Sequence, residues 1–290
     1  MTFDETSPPQ IIKDTLRDAS KWGKIKPRND DIIIATCYKS GTTLTQQIIN
    51  LLLNGNQDFA TMRDMSPWVE SRQHAPKPEV IEALASPRFL KTHLDPGALP
   101  WLSEWKYIYL ARDGRDVGLS LYNHCRAMEA EQAAMEQVDT KINGPANFTE
   151  FWDQWVETGS PRWDFWENID RWWQVRSQPN VLLVHYNDLI HKKPTEVERI
   201  ARFLDCEWNA EISNNVCKYS SIDYMRGLEL TGKLGSSKKN KQKTGLVNKG
   251  INGRWKKLLT YQQLVRYKQI VTQQLEPACA DWLHQGKITD

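Results

Sequence analysis

The chain has 290 residues, 40% of them hydrophobic and 26% charged, with a formal net charge of +2. That is enough for one large domain or two small ones around a substantial core, and too near neutral for a global field that would draw the chain to nucleic acid or a membrane. Five scattered cysteines (Cys37, Cys125, Cys206, Cys217 and Cys279), with no Cys-x-x-Cys pair, argue against a disulfide framework or a zinc site and imply a reducing compartment. No stretch approaches ~20 uninterrupted apolar residues, and Met1 to Asp31 lacks the apolar core of a signal peptide. The expectation is a cytoplasmic protein without a membrane span.

Pro8-Pro9 precede a short helical stretch expected around Ile11 to Leu16, and Pro27 to Asp31 reads as a turn. A β-branched apolar run from Ile32 to Thr36 then leads through Tyr38-Lys39-Ser40-Gly41-Thr42-Thr43 into a segment with Leu44, Ile48 and Leu51 at helical spacing. This strand, loop and helix, ended by Asn54-Gly55-Asn56, makes an anion site. Loop hydroxyls, backbone N–H groups and the helix N-terminus suit a phosphate, and Lys39 supplies the full charge. The loop is not the Walker pattern, because the Lys precedes the Gly. A plain turn and helix cap is the competing reading.

Residues 57–80 read mostly as loop, with a short helix starting at Pro67-Trp68-Val69-Glu70 and another from Glu79 to Ala85. Arg88 to Leu94 reads as a strand, Trp105 to Ala111 as a clearer one, and a helix carrying Val117, Leu119, Ser120, Leu121 and His124 follows Arg112-Asp113-Gly114-Arg115-Asp116. Between about 126 and 178 lies a helical insertion with Phe148, Phe151, Trp152, Trp155, Trp163, Phe165, Trp166, Trp172 and Trp173. These aromatics are either core or an apolar wall for an acceptor molecule. Asn180 to Tyr186 is a further strand, and a helix runs from Pro194 to Leu204. Gly227 to Val247 is polar and Lys-rich, either a mobile lid near an anion or a basic patch. In the following Lys249-Gly250-x-x-Gly253-Arg254-Trp255-Lys256 segment, glycines let backbone approach a ligand between cations, and residues 258–283 form one or two amphipathic helices.

Strands alternating with helices predict an α/β fold: a single domain over residues 1–290, with a central parallel sheet and helices on both faces. Ligands of such sheets bind beyond the carboxyl ends of the strands. Lys39, Lys91 with His93, Arg112 and Tyr186 follow or end four separate strands, so all point to one crevice. Three anion-binding pieces (the 39–43 loop, Arg112 with Ser120, and the 249–256 segment) suggest a ligand with phosphates at two separated places. No carboxylate cluster suggests Mg²⁺, and the lysines can take a metal's place.

In this order the pieces resemble the cytosolic sulfotransferase family, over about residues 30 to 265. Tyr38 to Thr43 is similar to its 5′-phosphosulfate loop, Tyr109 to Val117 with Ser120 to its 3′-phosphate motif, and Lys249-Gly250-x-x-Gly253-x-Trp255-Lys256 to its carboxy-terminal signature. Lys91-Thr92-His93-Leu94 resembles the segment with its catalytic Lys and His. The resemblance implies a P-loop-like sulfotransferase fold and 3′-phosphoadenylyl sulfate (PAPS) as co-substrate, with the 3′,5′-bisphosphate (PAP) as product and no metal. It implies that Lys39, Ser40, Gly41, Thr42 and Thr43 hold the 5′ phosphate. Arg112, Ser120, Lys249 and Gly250 would hold the 3′ phosphate, and Tyr186 would sit near the adenine. His93 would be the general base on the hydroxyl of a small aromatic, alcohol or lipid-like acceptor. Lys39 would stabilise the leaving oxygen and Lys91 steady the sulfuryl group. Nucleic acid is not an expected partner.

The chain departs from the family at Leu44 and Ile222, where adenine-sandwiching aromatics are common, and at Asn248, where an Arg usually precedes Lys-Gly. Arg115 compensates for that missing charge only if it reaches the site. Tyr261 and Val265 break the family's dimer pattern, which speaks against family-type dimerisation. Two other readings stand beside this one. A P-loop kinase would use Asp113 on a metal, and a non-catalytic protein would only bind an adenine nucleotide.

Overall fold

A computed structural model describes residues 9–136, 147–159, 164–235, 247 and 250–286, leaving out the side chains of 128–136. Four apolar runs form strands: β1 (Ile32–Thr36), β2 (Phe89–Thr92), β3 (Lys106–Ala111) and β4 (Val181–His185). They pair in the order β2-β1-β3-β4, every pair parallel. The chain leaves β1 for β2 on one side and returns to β3 on the other. The order therefore reverses at β1, and the crevice for a ligand opens beyond its carboxyl end.

Successive side chains of a strand face opposite ways, and the core divides accordingly. Ile33, Ala35, Leu90, Tyr107, Tyr109 and Leu183 belong to one buried cluster, Ile32, Ile34, Phe89, Ile108, Leu110 and Val184 to the other. The first face is covered by the helices Gly114–Glu136, Phe148–Thr158, Phe165–Gln174, Tyr261–Gln274 and Pro277–Gln285. The second is covered by Thr42–Asn54, Lys193–Phe203, Ala210–Tyr219 and Ile222–Leu230. This is the α/β architecture with helices on both faces of a parallel sheet. At the far end from the crevice a buried Arg88–Asp31 ion pair ties the start of β2 to the start of β1. Among the described residues no helix is long and apolar enough to cross a membrane, and no disulfide joins the cysteines.

Some local expectations are corrected. Residues 11–16 are not helical, and a 3₁₀ helix forms instead at Ala19–Lys24. The Asp14 carboxylate accepts from the backbone N–H groups of Leu16 and Arg17 and from Arg17 Nε, a local alternative to helical bonding. Pro67-Trp68-Val69-Glu70 is not helical either. It lies along the open edge of β2, where Lys91 N–H donates to the Pro67 carbonyl at 2.9 Å and Trp68 pairs with Lys91. An edge strand offers unpaired backbone groups, and proline is tolerated beside it.

Two helices not expected from the sequence, Ala210–Tyr219 and Ile222–Leu230, are capped by Asn209 and Ser221. Residues 258–283 resolve into two helices. The first, Tyr261–Gln274, opens on a Thr260/Gln263 capping box, and Pro277 opens the second. The Lys-rich stretch beyond Gly235 lies outside the described residues as far as 246.

Candidate active site

The loop after β1 is shaped by two left-handed residues, Lys39 (φ 63°) and Gly41 (φ 115°). Backbone in this conformation turns successive N–H groups toward one point, the geometry of an anion nest. A Cβ on Gly41 would lie 2.6 Å from the Tyr186 ring, so only glycine fits where the loop crosses that side chain. Ser40 is fully buried, and its hydroxyl has no hydrogen-bond partner among the described residues. A buried donor of that kind, at a helix N-terminus beside a lysine, fits an oxyanion.

One cavity gathers the expected residues from every strand end. Lys39, Gly41, Thr42 and Thr43 line it from the loop, Lys91 and His93 from the end of β2, Arg112 and Ser120 from beyond β3, Tyr186 from the end of β4, and Gly250 from the carboxy-terminal segment. Ser40 lies beneath this surface rather than on it. Lys249, like Asn248, lies outside the described residues. Leu44 and Ile222 line the cavity with Tyr186, Ile190, Met225 and Val247, an apolar end suited to a flat ring without the expected aromatic sandwich. A Cβ on Gly250 would stand 3.0 Å from Ile222, so the chain passes close against that ring pocket.

His93 is tied to the phosphate loop through Thr36 at the end of β1. Its Nδ1 lies 2.9 Å from the Thr36 carbonyl and 3.1 Å from Thr36 Oγ1, and Thr36 Oγ1 lies 2.6 Å from Thr42 Oγ1. A carbonyl can only accept, so Nδ1 carries the proton and the neutral imidazole keeps its lone pair on Nε2. Burial, reinforced by the charge of Lys91, holds His93 well below the usual histidine range, so the ring is neutral at pH 7. Tyr38 and Trp68 press on it edge-on, each with centroids 5.0 Å away.

The cations are also strained electrostatically. Burial, with Lys91 and Arg112 nearby, pushes Lys39 down to about 8. Burial pushes Lys91 to about 8 as well, with Glu70 opposing the shift and Arg63 adding to it. Clustered, desolvated ammonium groups of this kind suit an anion. Arg112 stacks on Tyr186 at 4.4 Å and donates to Asn252 Oδ1 at 2.9 Å, while Asn252 Nδ2 donates to Asn187. Asp116 accepts the Gly253 N–H at 3.0 Å and faces Arg112 at 3.8 Å. This links the carboxy-terminal segment to the helix after β3.

Arg115 does not reach the cavity. It forks onto Asp113 and stacks on Trp255, so it cannot replace the charge missing at Asn248. The same ion pair occupies the carboxylate that a kinase reading would place on a metal. The described aromatics of the 148–173 segment are buried in the core and none lines the cavity, so they are packing and not an acceptor wall. Trp163 is outside the described residues. Sequence reasoning missed Thr36, Glu70, Asn252 and His124 as site residues. Thr36 ends a predicted strand, Asn252 falls inside the 249–256 segment and His124 on the Ser120 face of its helix, while nothing in the sequence marks Glu70.

A sulfotransferase-domain family profile matches residues 29–278. Sulfotransferase 1B1 of Canis lupus familiaris is 31% identical over 278 residues, covering 89% of this chain and 88% of its own. Sulfotransferase 1C2 of Rattus norvegicus is 26% identical over 270 residues, covering 88% and 87%. Among solved structures, mouse sulfotransferase SULT7A1 complexed with PAP aligns with a TM-score of 0.70 at 18% identity, over 91% of each chain. Retinol dehydratase in complex with androsterone and PAP aligns with a TM-score of 0.70 at 21% identity, over 89% of this chain and 84% of that one. The two structures share the fold.

Proposed function

The chain belongs to the sulfotransferase family and is a sulfotransferase, and on that premise we propose that it moves a sulfuryl group from PAPS to the hydroxyl of a small aromatic, alcohol or lipid-like acceptor. The observation that carries this reading is the Thr42–Thr36–His93 chain, which ties a phosphate-shaped loop to a neutral, buried imidazole in the same cavity. In this reading residues 1–290 act as one domain in the cytoplasm.

The 39–43 loop binds the 5′ phosphate through its backbone N–H groups, Ser40 and the two threonines. Arg112, Ser120, Lys249 and Gly250 hold the 3′ phosphate, and Tyr186 lies against the adenine end. His93 Nε2 takes the acceptor's hydroxyl proton as the new O–S bond forms. The S–O bond to the 5′ phosphate breaks, and its electron pair leaves on the bridging oxygen. Lys39 stabilises that oxygen and Lys91 steadies the sulfuryl oxygens. Positioning and charge stabilisation supply most of the rate, as in phosphoryl transfer. His93 then releases its proton to solvent.

The test is transfer of labelled sulfuryl group from PAPS to a panel of phenols, alcohols and glycolipids. Labelled product supports the reading. PAP binding without product on any acceptor overturns it.

A further inference from the structure

Arg112, the proposed 3′-phosphate ligand, is held on two sides. The Tyr186 ring lies 4.4 Å from its guanidinium and fixes the plane of the group. Nε and Nη2 both donate to one oxygen, Asn252 Oδ1, at 3.2 and 2.9 Å. Asn252 Nδ2 in turn donates to Asn187 Oδ1 at 3.3 Å, on the residue after Tyr186. Asn252 is half-buried and is not part of the cavity lining, whereas Arg112 is. Gly250 (φ 65°) and Gly253 (φ 78°) supply left-handed backbone on either side of Asn252, and the Gly253 N–H is fixed on both Asp116 carboxylate oxygens at 3.0 Å.

A guanidinium carries five N–H donors in one rigid fork. Asn252 takes the edge formed by Nε and Nη2. Nη1 has no hydrogen-bond partner among the described residues, so the other edge is left for an oxyanion. The chemistry of the anchor matters as much as its place. Asp116 Oδ1 stands 3.8 Å from Arg112 Nη2 and is the competing anchor. A carboxylate there offsets the positive charge that attracts a phosphate. The amide oxygen of Asn252 is neutral. It orients the fork and leaves the full charge for the ligand, while Asp116 is engaged by the neighbouring Gly253 N–H.

We propose that Asn252 is a positioning residue for the donor's 3′ phosphate. It aims Arg112 into the cavity and holds it off Asp116, and so sets the preference for a 3′,5′-bisphosphate over a 5′-monophosphate. The proposal rests on the PAPS reading above and adds to it a residue that touches no ligand.

The experiment measures dissociation constants of PAP and of adenosine 5′-phosphate (AMP) by titration calorimetry, on the wild type, Asn252→Ala, Asn252→Asp and Arg112→Ala. In the wild type PAP binds more tightly than AMP. Asn252→Ala lowers PAP affinity by about tenfold, the size of one hydrogen bond to a charged group. AMP affinity stays near that of the wild type, which also shows that the variant folds. Asn252→Asp keeps the oxygen but adds a charge, and lowers the PAP-to-AMP affinity ratio at least as far. A merely structural defect weakens both ligands together and leaves the ratio in place. A ratio unmoved in either Asn252 variant overturns this assignment, and if Arg112→Ala still collapses the ratio the 3′-phosphate reading stands without it. A wild-type ratio near unity overturns the placement of a 3′ phosphate on Arg112 and the role of Asn252 with it.

Discussion

The backbone N–H of His93 donates to Glu70 Oε1 at 2.7 Å, across 23 positions of sequence. The same buried carboxylate accepts the indole N–H groups of Trp68 and Trp22 and faces the charge of Lys91. Burial raises its pKa, with those donors opposing the shift. Glu70 therefore anchors the segment that carries both groups proposed for the chemistry, without touching the cavity itself.

Glu70→Gln keeps an oxygen for the His93 N–H but removes the negative charge beside Lys91. It also turns an amide donor toward the Trp22 indole. We expect kcat to fall by about tenfold, one misplaced hydrogen bond's worth, with PAP affinity retained. Arg63, Lys39, His74 and His93 also act on Lys91 or feel its charge. With Glu70's charge gone, burial and Arg63 drive the Lys91 pKa lower still. The alkaline limb of the kcat–pH profile therefore moves to lower pH, which a purely structural defect would not do.

Proton uptake on binding follows from the two lysines. Each is held near 8 in the ligand-free protein, so each is charged below that pH and loses its proton above it. A bound bisphosphate favours the charged forms and pulls both values up. Titration calorimetry just above pH 8, in buffers of different ionisation enthalpy, should show PAP binding accompanied by proton uptake. The kcat/KM for donor should fall as pH rises through 8. His93 titrates well below its usual range, so its protonation should not limit activity at neutral pH.

Gly41→Ala tests the loop. Its φ of 115° disfavours any side chain, and a methyl would meet the Tyr186 ring at 2.6 Å. PAP affinity should drop by at least about tenfold, as a strained loop loses its aligned N–H groups. Gly23→Ala, where an added methyl meets nothing within 4 Å, is the matched control and should bind PAP as the wild type does.

Trp172→Ala separates packing from acceptor binding. Trp172 stacks on Tyr109 at 5.0 Å and donates to the Leu94 carbonyl at 3.2 Å, deep under the sheet. Its truncation should cost about 3–5 kcal/mol of stability by denaturant unfolding. KM for acceptor in the folded fraction should change little.

Much of this molecule was legible in its sequence because its signals are local. Ile32 to Leu51 carries the strand period, the loop chemistry and the helix period in one run. The four strand ends could be placed on one crevice by topology alone. What escaped was decided through space. Glu70 meets His93 only because Pro67–Glu70 pairs along β2, where a proline at a first turn suggested a helix. His124 meets Tyr38 across 86 positions. Asp14 diverts residues 11–16 from a helix by bonding to its own neighbours. The aromatics of the 148–173 segment have two readings because helical spacing marks a buried face without saying what covers it, and for the described ones the core does.

The defining step is transfer of the acceptor's hydroxyl proton to His93, in a cavity that binds the donor independently. Its most direct test is the single-turnover rate of sulfuryl transfer by His93→Ala, measured beside the PAP dissociation constant of the same protein. We expect a fall of about 10²–10⁴-fold in the rate, the usual worth of a positioned general base, with PAP affinity close to that of the wild type. A rate within a few-fold of wild type, with PAP bound normally, would contradict it.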